Sequence, residues 1–136
     1  MKKILLSLIF LLTVTNVFSH EVKLKITNVK QNTGKVVISL NSSEEAFKKH
    51  IPDQTLILET NSTEVETIID VPSGEYAFCI FQDINNDGEI NSNLIGIPKE
   101  PFGFSNYNGK SAPGNFKKHK VVINQDSEIT IALFEM

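Results

Sequence analysis

A chain of 136 residues with 13 basic against 16 acidic side chains is the size of one domain, and its acidity gives it no electrostatic pull towards nucleic acid or anionic lipid. Its single cysteine, Cys79, excludes an internal disulfide, so the fold rests on its core, to which nine Phe and no Trp contribute.

After Met1, Lys2 and Lys3 the chain is almost wholly apolar from Ile4 to Phe18, and its next charge is Glu21. Those 15 residues fall short of the roughly 20 that span a bilayer, so they read as a secretory signal peptide. Val17 and Ser19 are small enough for the two pocket positions before a cut. Residues 1–19 are therefore expected to be removed and 20–136 to form a single β-sandwich domain. Export follows, to the periplasm or the exterior. No cysteine follows the apolar run to carry a lipid, so no membrane anchor is expected after cleavage. Without Lys2 and Lys3, 11 basic side chains face 16 acidic ones, a net charge near −5.

Val22 to Val29 alternates, with Val22, Leu24 and Ile26 on one face and Lys23, Lys25 and Thr27 on the other, as a half-buried strand does. Gln31 to Gly34 reads as a turn and Val36, Ile38 and Leu40 repeat the pattern, so a hairpin is expected. Ser42 with Glu45 three residues on has the form of a capping box, and Phe47 gives the segment an apolar contact; a helix of about two turns should end before Pro52. Thr55 to Thr60 and Val65 to Val71 are two more strands, and Pro72, Ser73 and Gly74 make a tight turn. Tyr76 to Gln82 is apolar on both faces through Phe81, the mark of a central strand covered on both sides. Lys120 to Ile123 and Ile129 to Phe134 are expected to pair, with Ile129, Ile131 and Leu133 inward. A seventh strand is placed near Asn93 to Ile97. The fold class is all-β, an antiparallel β-sandwich of immunoglobulin or transthyretin-like type, with about seven strands and one short helix.

Chemistry concentrates after the central strand. Asp83, Asn85 and Asp87 occupy positions one, three and five of a calcium loop; Gly88 stands where the turn needs positive φ, Ile90 at the apolar eighth position and Asn91 at the ninth. Alternate side chains of such a turn point inward, so hard oxygens converge on one hard cation, with the Glu89 carbonyl as a further ligand. The twelfth position is Leu94 instead of a bidentate Glu, and no helix flanks the loop, so this is not an EF-hand. The site lacks a strong ligand unless Glu100 or a distant carboxylate folds back, and a Kd of about 10⁻⁴ to 10⁻³ M is expected for Ca²⁺. The alternative is an Asx-rich turn at a strand end.

Pro98 to Asn115 holds three prolines and the aromatics Phe102, Phe104 and Tyr107 without periodicity. Phe102 and Phe104, two apart, either plug an open end of the sandwich or, with Tyr107, face a ligand; a merely mobile loop is the third reading.

The runs PSGEYAFCIFQDINNDG and LIGIPKEPFGFSN resemble the bacterial exported family known as DUF2141, over about 60 residues from Pro72 onward. The resemblance implies a small secreted β-sandwich with no established activity. Gln82 stands where the family usually carries His, and Ala112 to His119 also departs from its pattern.

Signals of catalysis are sparse. Cys79 lies mid-strand and reads as a buried, inert thiol. His20, as a mature N-terminus, would need His50 or His119 beside it to chelate copper, and no G-x-S-x-G elbow gathers a Ser, His and Asp. Lys117, Lys118 and Lys120 suggest a solvated strand edge. The leading expectation is a non-enzymatic exported binding or structural module with a structural Ca²⁺ loop, presenting residues 98–115 to a protein or cell-surface ligand. The rival is an extracellular enzyme on glycan, with Glu100 as acid or base and Phe102, Phe104 and Tyr107 as a sugar platform.

Overall fold

The structure, a computed structural model, describes residues 18–136. The chain runs β1 (Ser19–Thr27), β2 (Lys35–Asn41), α1 (Glu44–Lys49), β3 (Gln54–Glu59), β4 (Val65–Pro72), β5 (Gly74–Asp83), β6 (Phe102–Phe104), α2 (Phe116–His119), β7 (Val121–Ile123) and β8 (Ser127–Ala132). These build two facing sheets, one ordered β4-β1-β8 and the other β3-β2-β5-β6, with β7 also paired to β5. The β-sandwich is thus observed, with eight strands and two small helices. Of the expected signal peptide, residues 1–17 lie outside the described residues, and Ser19 is already paired with Pro72. No helix among the described residues is long and apolar enough to cross a membrane.

Period-two patterning fills the space between the sheets. Val22, Leu24 and Ile26 of β1 face Val36, Ile38 and Leu40 of β2, Phe78 and Ile80 of β5, and Ile131 and Leu133, all buried. Fully burying each of these aliphatic or aromatic side chains stabilises by about 1.5–3 kcal/mol, which is what holds two sheets without a disulfide.

Chain neighbours, however, are not sheet neighbours. β1 and β2 form no hairpin: β1 pairs β4 antiparallel, while β2 pairs β3 and β5 in the opposite sheet. Asn28 at φ 60°, Asn32 at φ 56° and Gly34 at φ 57° turn the connection across the sandwich. The last two strands are not a pair either. β7 pairs β5, and β8 runs parallel to β1, so the sandwich is not wholly antiparallel. Residues 93–97 are a turn, not a strand: the Asn93 side-chain oxygen accepts the Ile95 and Ile97 N–H groups at 3.0 Å each, closing the chain on itself. The N-cap of α1 is Ser43, one residue beyond the expected capping box, its hydroxyl accepting the Ala46 N–H at 3.1 Å. Lys117 and Lys118 lie on α2 rather than on a strand edge, and Lys120 pairs with Glu75.

The outer face of the β3-β2-β5-β6 sheet carries a second apolar layer. Phe104 stands opposite Cys79 and Phe102 opposite Phe81, so both phenyl rings share the face turned away from the main core. The helices α1 and α2 cover that face. Phe47, Phe104, Phe116, Tyr107 and His119 stack or meet edge to face with centroids 4.7–6.4 Å apart. This is why β5 is apolar on both faces. Phe102 and Phe104 therefore do not plug an open end; they line a layer beneath two helices. Gly103, between them, lets β8 approach: a Cβ there would lie 2.4 Å from the Ala132 carbonyl oxygen. Mutual backbone bonds between Phe102 and Phe134, 3.0 and 2.8 Å, close that side of the sandwich.

Candidate functional site

β5 ends at Asp83, and the chain turns at once through Asn86 at φ 56° and Gly88 at φ 78°. Nothing lies within 4 Å of a Cβ on Gly88, so the glycine serves backbone conformation alone. Asp83, buried, folds the turn around its carboxylate, accepting the Gly88 N–H at 2.8 Å and the Asp87 N–H at 3.2 Å. Asp87, exposed, accepts the Glu89 N–H at 2.9 Å and the amides of Asn85 and Asn91 at 3.0 Å each. The Glu89 N–H and then the Asn91 amide hold the Asp87 carboxyl below the usual carboxylate range.

Glu100 completes the arrangement from sixteen residues away. It is 5% exposed, and its two oxygens accept the Ile84 N–H at 3.0 Å and the Asn91 N–H at 3.1 Å. The pairing of β6 with β5 and the bond from the Gln82 N–H to the Pro101 carbonyl, 2.8 Å, bring it there. One oxygen from each of Asp83, Asp87 and Glu100 lies within 4.8 Å of the others. Ca²⁺ takes oxygens at about 2.3–2.6 Å, and three oxygens this close can be drawn onto one such ion. Of the residues the spacing nominated, Asp83 and Asp87 converge, and Asn85 and Asn91 reach Asp87 through their amides. The Glu89 side chain is exposed, and Leu94, at the twelfth position, projects fully into solvent. A polar groove beside the cluster is lined by Lys30, Asn85, Asn91, Lys99, Glu100 and Glu135.

The other nominated loop residues are elsewhere. Phe102 is fully buried, Phe104 and Tyr107 are half-buried in the aromatic layer, and none lines the groove beside Glu100. The Tyr107 hydroxyl donates to the Ser111 carbonyl at 2.6 Å. Cys79 is half-buried with its thiol pushed up to about 12 by desolvation. His20 bonds Ser73 and His119 is buried in the aromatic layer, so they do not meet.

Two residues carry structure that sequence reasoning did not assign. Gln82, fully buried, donates its amide to the Lys30 and Thr33 carbonyls at 2.7 and 2.6 Å and accepts the Lys30 N–H at 2.9 Å. A polar residue at a core-facing position after Phe78 and Ile80 was the available signal. That amide is spent on the β1–β2 connection and not on the acidic cluster. His119 is the second, and nothing in its local sequence marked it as buried.

No curated protein and no solved structure matches the chain. A sequence model of DUF2141, described as an uncharacterized protein conserved in bacteria, matches residues 24–131, from the first core strand through the last. The chain belongs to the DUF2141 family.

Proposed function

We propose that the protein is an exported, non-enzymatic β-sandwich module that binds a structural Ca²⁺ at the Asp83–Asn91 loop and offers the neighbouring surface to a protein or cell-surface ligand. The observation that carries this reading is the buried Glu100 carboxylate beside Asp83 and Asp87. It supplies the strong ligand that the loop's twelfth position lacks. Asp83, Asp87 and Glu100 would give charged oxygens; Asn85 and Asn91, turned about their terminal bonds, would give amide oxygens, and Glu89 its carbonyl. The ion would neutralise the gathered negative charge and fix the turn at 91–99, whose tip exposes Leu94 and Ile95. The apolar segment at residues 4–18 supports export.

The glycan-enzyme reading receives less support. Both Glu100 oxygens already accept backbone N–H groups, and none of Phe102, Phe104 and Tyr107 lines the groove beside them.

Thermal unfolding in EDTA, in millimolar CaCl₂ and in MgCl₂ tests the proposal. Ca²⁺ at tenfold over Kd stabilises by about 1.4 kcal/mol, a rise of roughly 5 °C for a domain of this size. Mg²⁺, which demands tighter octahedral geometry, should raise the midpoint less. Asp87→Ala and Glu100→Gln should abolish the Ca²⁺ shift, whatever their own midpoints in EDTA. An unchanged midpoint at 10 mM CaCl₂ sinks the ion and leaves an Asx-rich turn.

A further inference from the structure

His119 is wholly buried, and both of its ring nitrogens are committed. Nδ1 lies 3.1 Å from the Ser105 carbonyl oxygen, and Nε2 lies 2.9 Å from the Gly114 nitrogen. A carbonyl can only accept and a backbone N–H can only donate. The proton therefore sits on Nδ1, and Nε2 is the acceptor. The ring stacks on Phe104 at 4.7 Å and 17°, lies 6.1 Å from Phe47 of α1 at 30°, and meets Tyr107 edge to face. One neutral imidazole thus joins the end of β6, the 107–114 loop and both helices.

We propose that His119 is an acid-opened latch, protonation of its Nε2 releasing the Gly114 end of the 107–114 loop and opening the aromatic layer there. The step is a single proton transfer from solvent to Nε2. The proton occupies the lone pair that accepts the Gly114 N–H, so two donors then face each other at 2.9 Å. Among the described residues no carboxylate bonds the ring to compensate. The charged and titratable groups around it are Lys117 and Lys118 on α2, Glu44 and Lys48 on α1, His50 just beyond it, and the Tyr107 hydroxyl in the loop. Glu44, Lys48 and His50 line the groove that Gly114 and Asn115 also line. Burial, with Lys118 adding to it, lowers the His119 pKa against the opposing Ser105 bond. The start of the loop is packed, with Tyr107 against Phe102, Phe104 and Phe134 and Gly109 against Phe134, whereas the Gly114 end adjoins only the Lys118 side chain beside its bond to the imidazole. Losing the imidazole acceptor therefore frees the Gly114 end of the loop, while Tyr107 stays packed.

The sign follows from that direction. The folded pKa lies below the unfolded value near 6.5, so the latch is intact above that value and is lost as pH falls towards the folded pKa. Within this window the opening constant grows by at most about tenfold per pH unit. Amide exchange on ¹⁵N-labelled protein, divided by the intrinsic rate at each pH from 7.5 to 4.5, reads it directly. The Gly114 N–H should lose protection with the midpoint of the His119 ring titration, while the Ile38 amide of the central sheet keeps its own. His119→Gln, which retains an uncharged acceptor, should hold Gly114 without the acid loss. Pinned protection at Gly114 through the ring titration overturns the proposal. So does an equal loss at Ile38, which would be global unfolding, or an unchanged acid loss in H119Q. If H119Q does not fold, the wild-type comparison of Gly114 with Ile38 still decides.

Discussion

Gln82→Met tests how the β1–β2 connection is held at the head of the sandwich. Methionine matches the length and volume of glutamine and removes three hydrogen bonds at once, those with the Lys30 carbonyl, the Thr33 carbonyl and the Lys30 N–H. A neutral hydrogen bond contributes about 0.5–1.5 kcal/mol net, and a stranded buried partner costs about 1–3. Lys30 is exposed and Thr33 half-buried, so water can reach the orphaned backbone groups and the lower range applies. The expected loss is about 3 kcal/mol. At a urea m-value of about 1.5 kcal/mol/M this moves the unfolding midpoint down by roughly 2 M. Urea melts followed by far-UV circular dichroism measure it, with an unchanged m-value required for the comparison. A midpoint within about 0.3 M of wild type, equivalent to under 0.5 kcal/mol, would refute the reasoning and show the connection held by its own turns.

Gly34→Ala should be the more damaging of two glycine substitutions. Its Cβ would lie 1.8 Å from the Asp83 carbonyl oxygen at φ 57°, whereas Gly88, at φ 78°, meets nothing within 4 Å. Gly88→Ala should cost only the roughly 1–2 kcal/mol of left-handed strain, and equal midpoints in urea melts would contradict this. Cys79, with its thiol pushed up to about 12 from an ordinary 9.0, should alkylate about a thousandfold more slowly at pH 8 when native than when unfolded in guanidinium, since its thiolate fraction falls by that factor. Comparable labelling rates would mean that the strand opens readily.

Alternation in Val22–Ile26, Val36–Leu40 and Tyr76–Gln82 tells which face of a strand is buried, and every one of those faces is buried. It does not tell which strand lies alongside. Both β1 and β2 have an inward apolar face whether they pair in one sheet or face each other across the core, and the short polar connection between them suits either. The positive φ values at Asn28, Asn32 and Gly34 decide for the crossing. Residues 102–104 and 116–119 are shorter than any period can register. They are held by β5 and by the aromatic layer, contacts remote in sequence.

The acidic loop shows the same division between local and remote information. Asp83, Asn85, Asp87 and Gly88 are legible because a tight turn sets its own geometry, and the Asp83 carboxylate folds around N–H groups only four and five residues away. Glu100 arrives by another route. Its position depends on the register that sets Phe102 opposite Phe81 and on the Gln82–Pro101 backbone bond, so a carboxylate between two prolines becomes buried against a loop it does not adjoin in sequence. The strand that delivers Glu100 also carries Phe104, the ring on which His119 stacks. β6 is only three residues long, yet its one end sets the acidic cluster and its other end the imidazole. Its interior glycine is fixed by the approach of β8. The two candidate sites are therefore built on one strand whose place is set by pairing rather than by propensity, and that pairing is what a single sequence leaves unread.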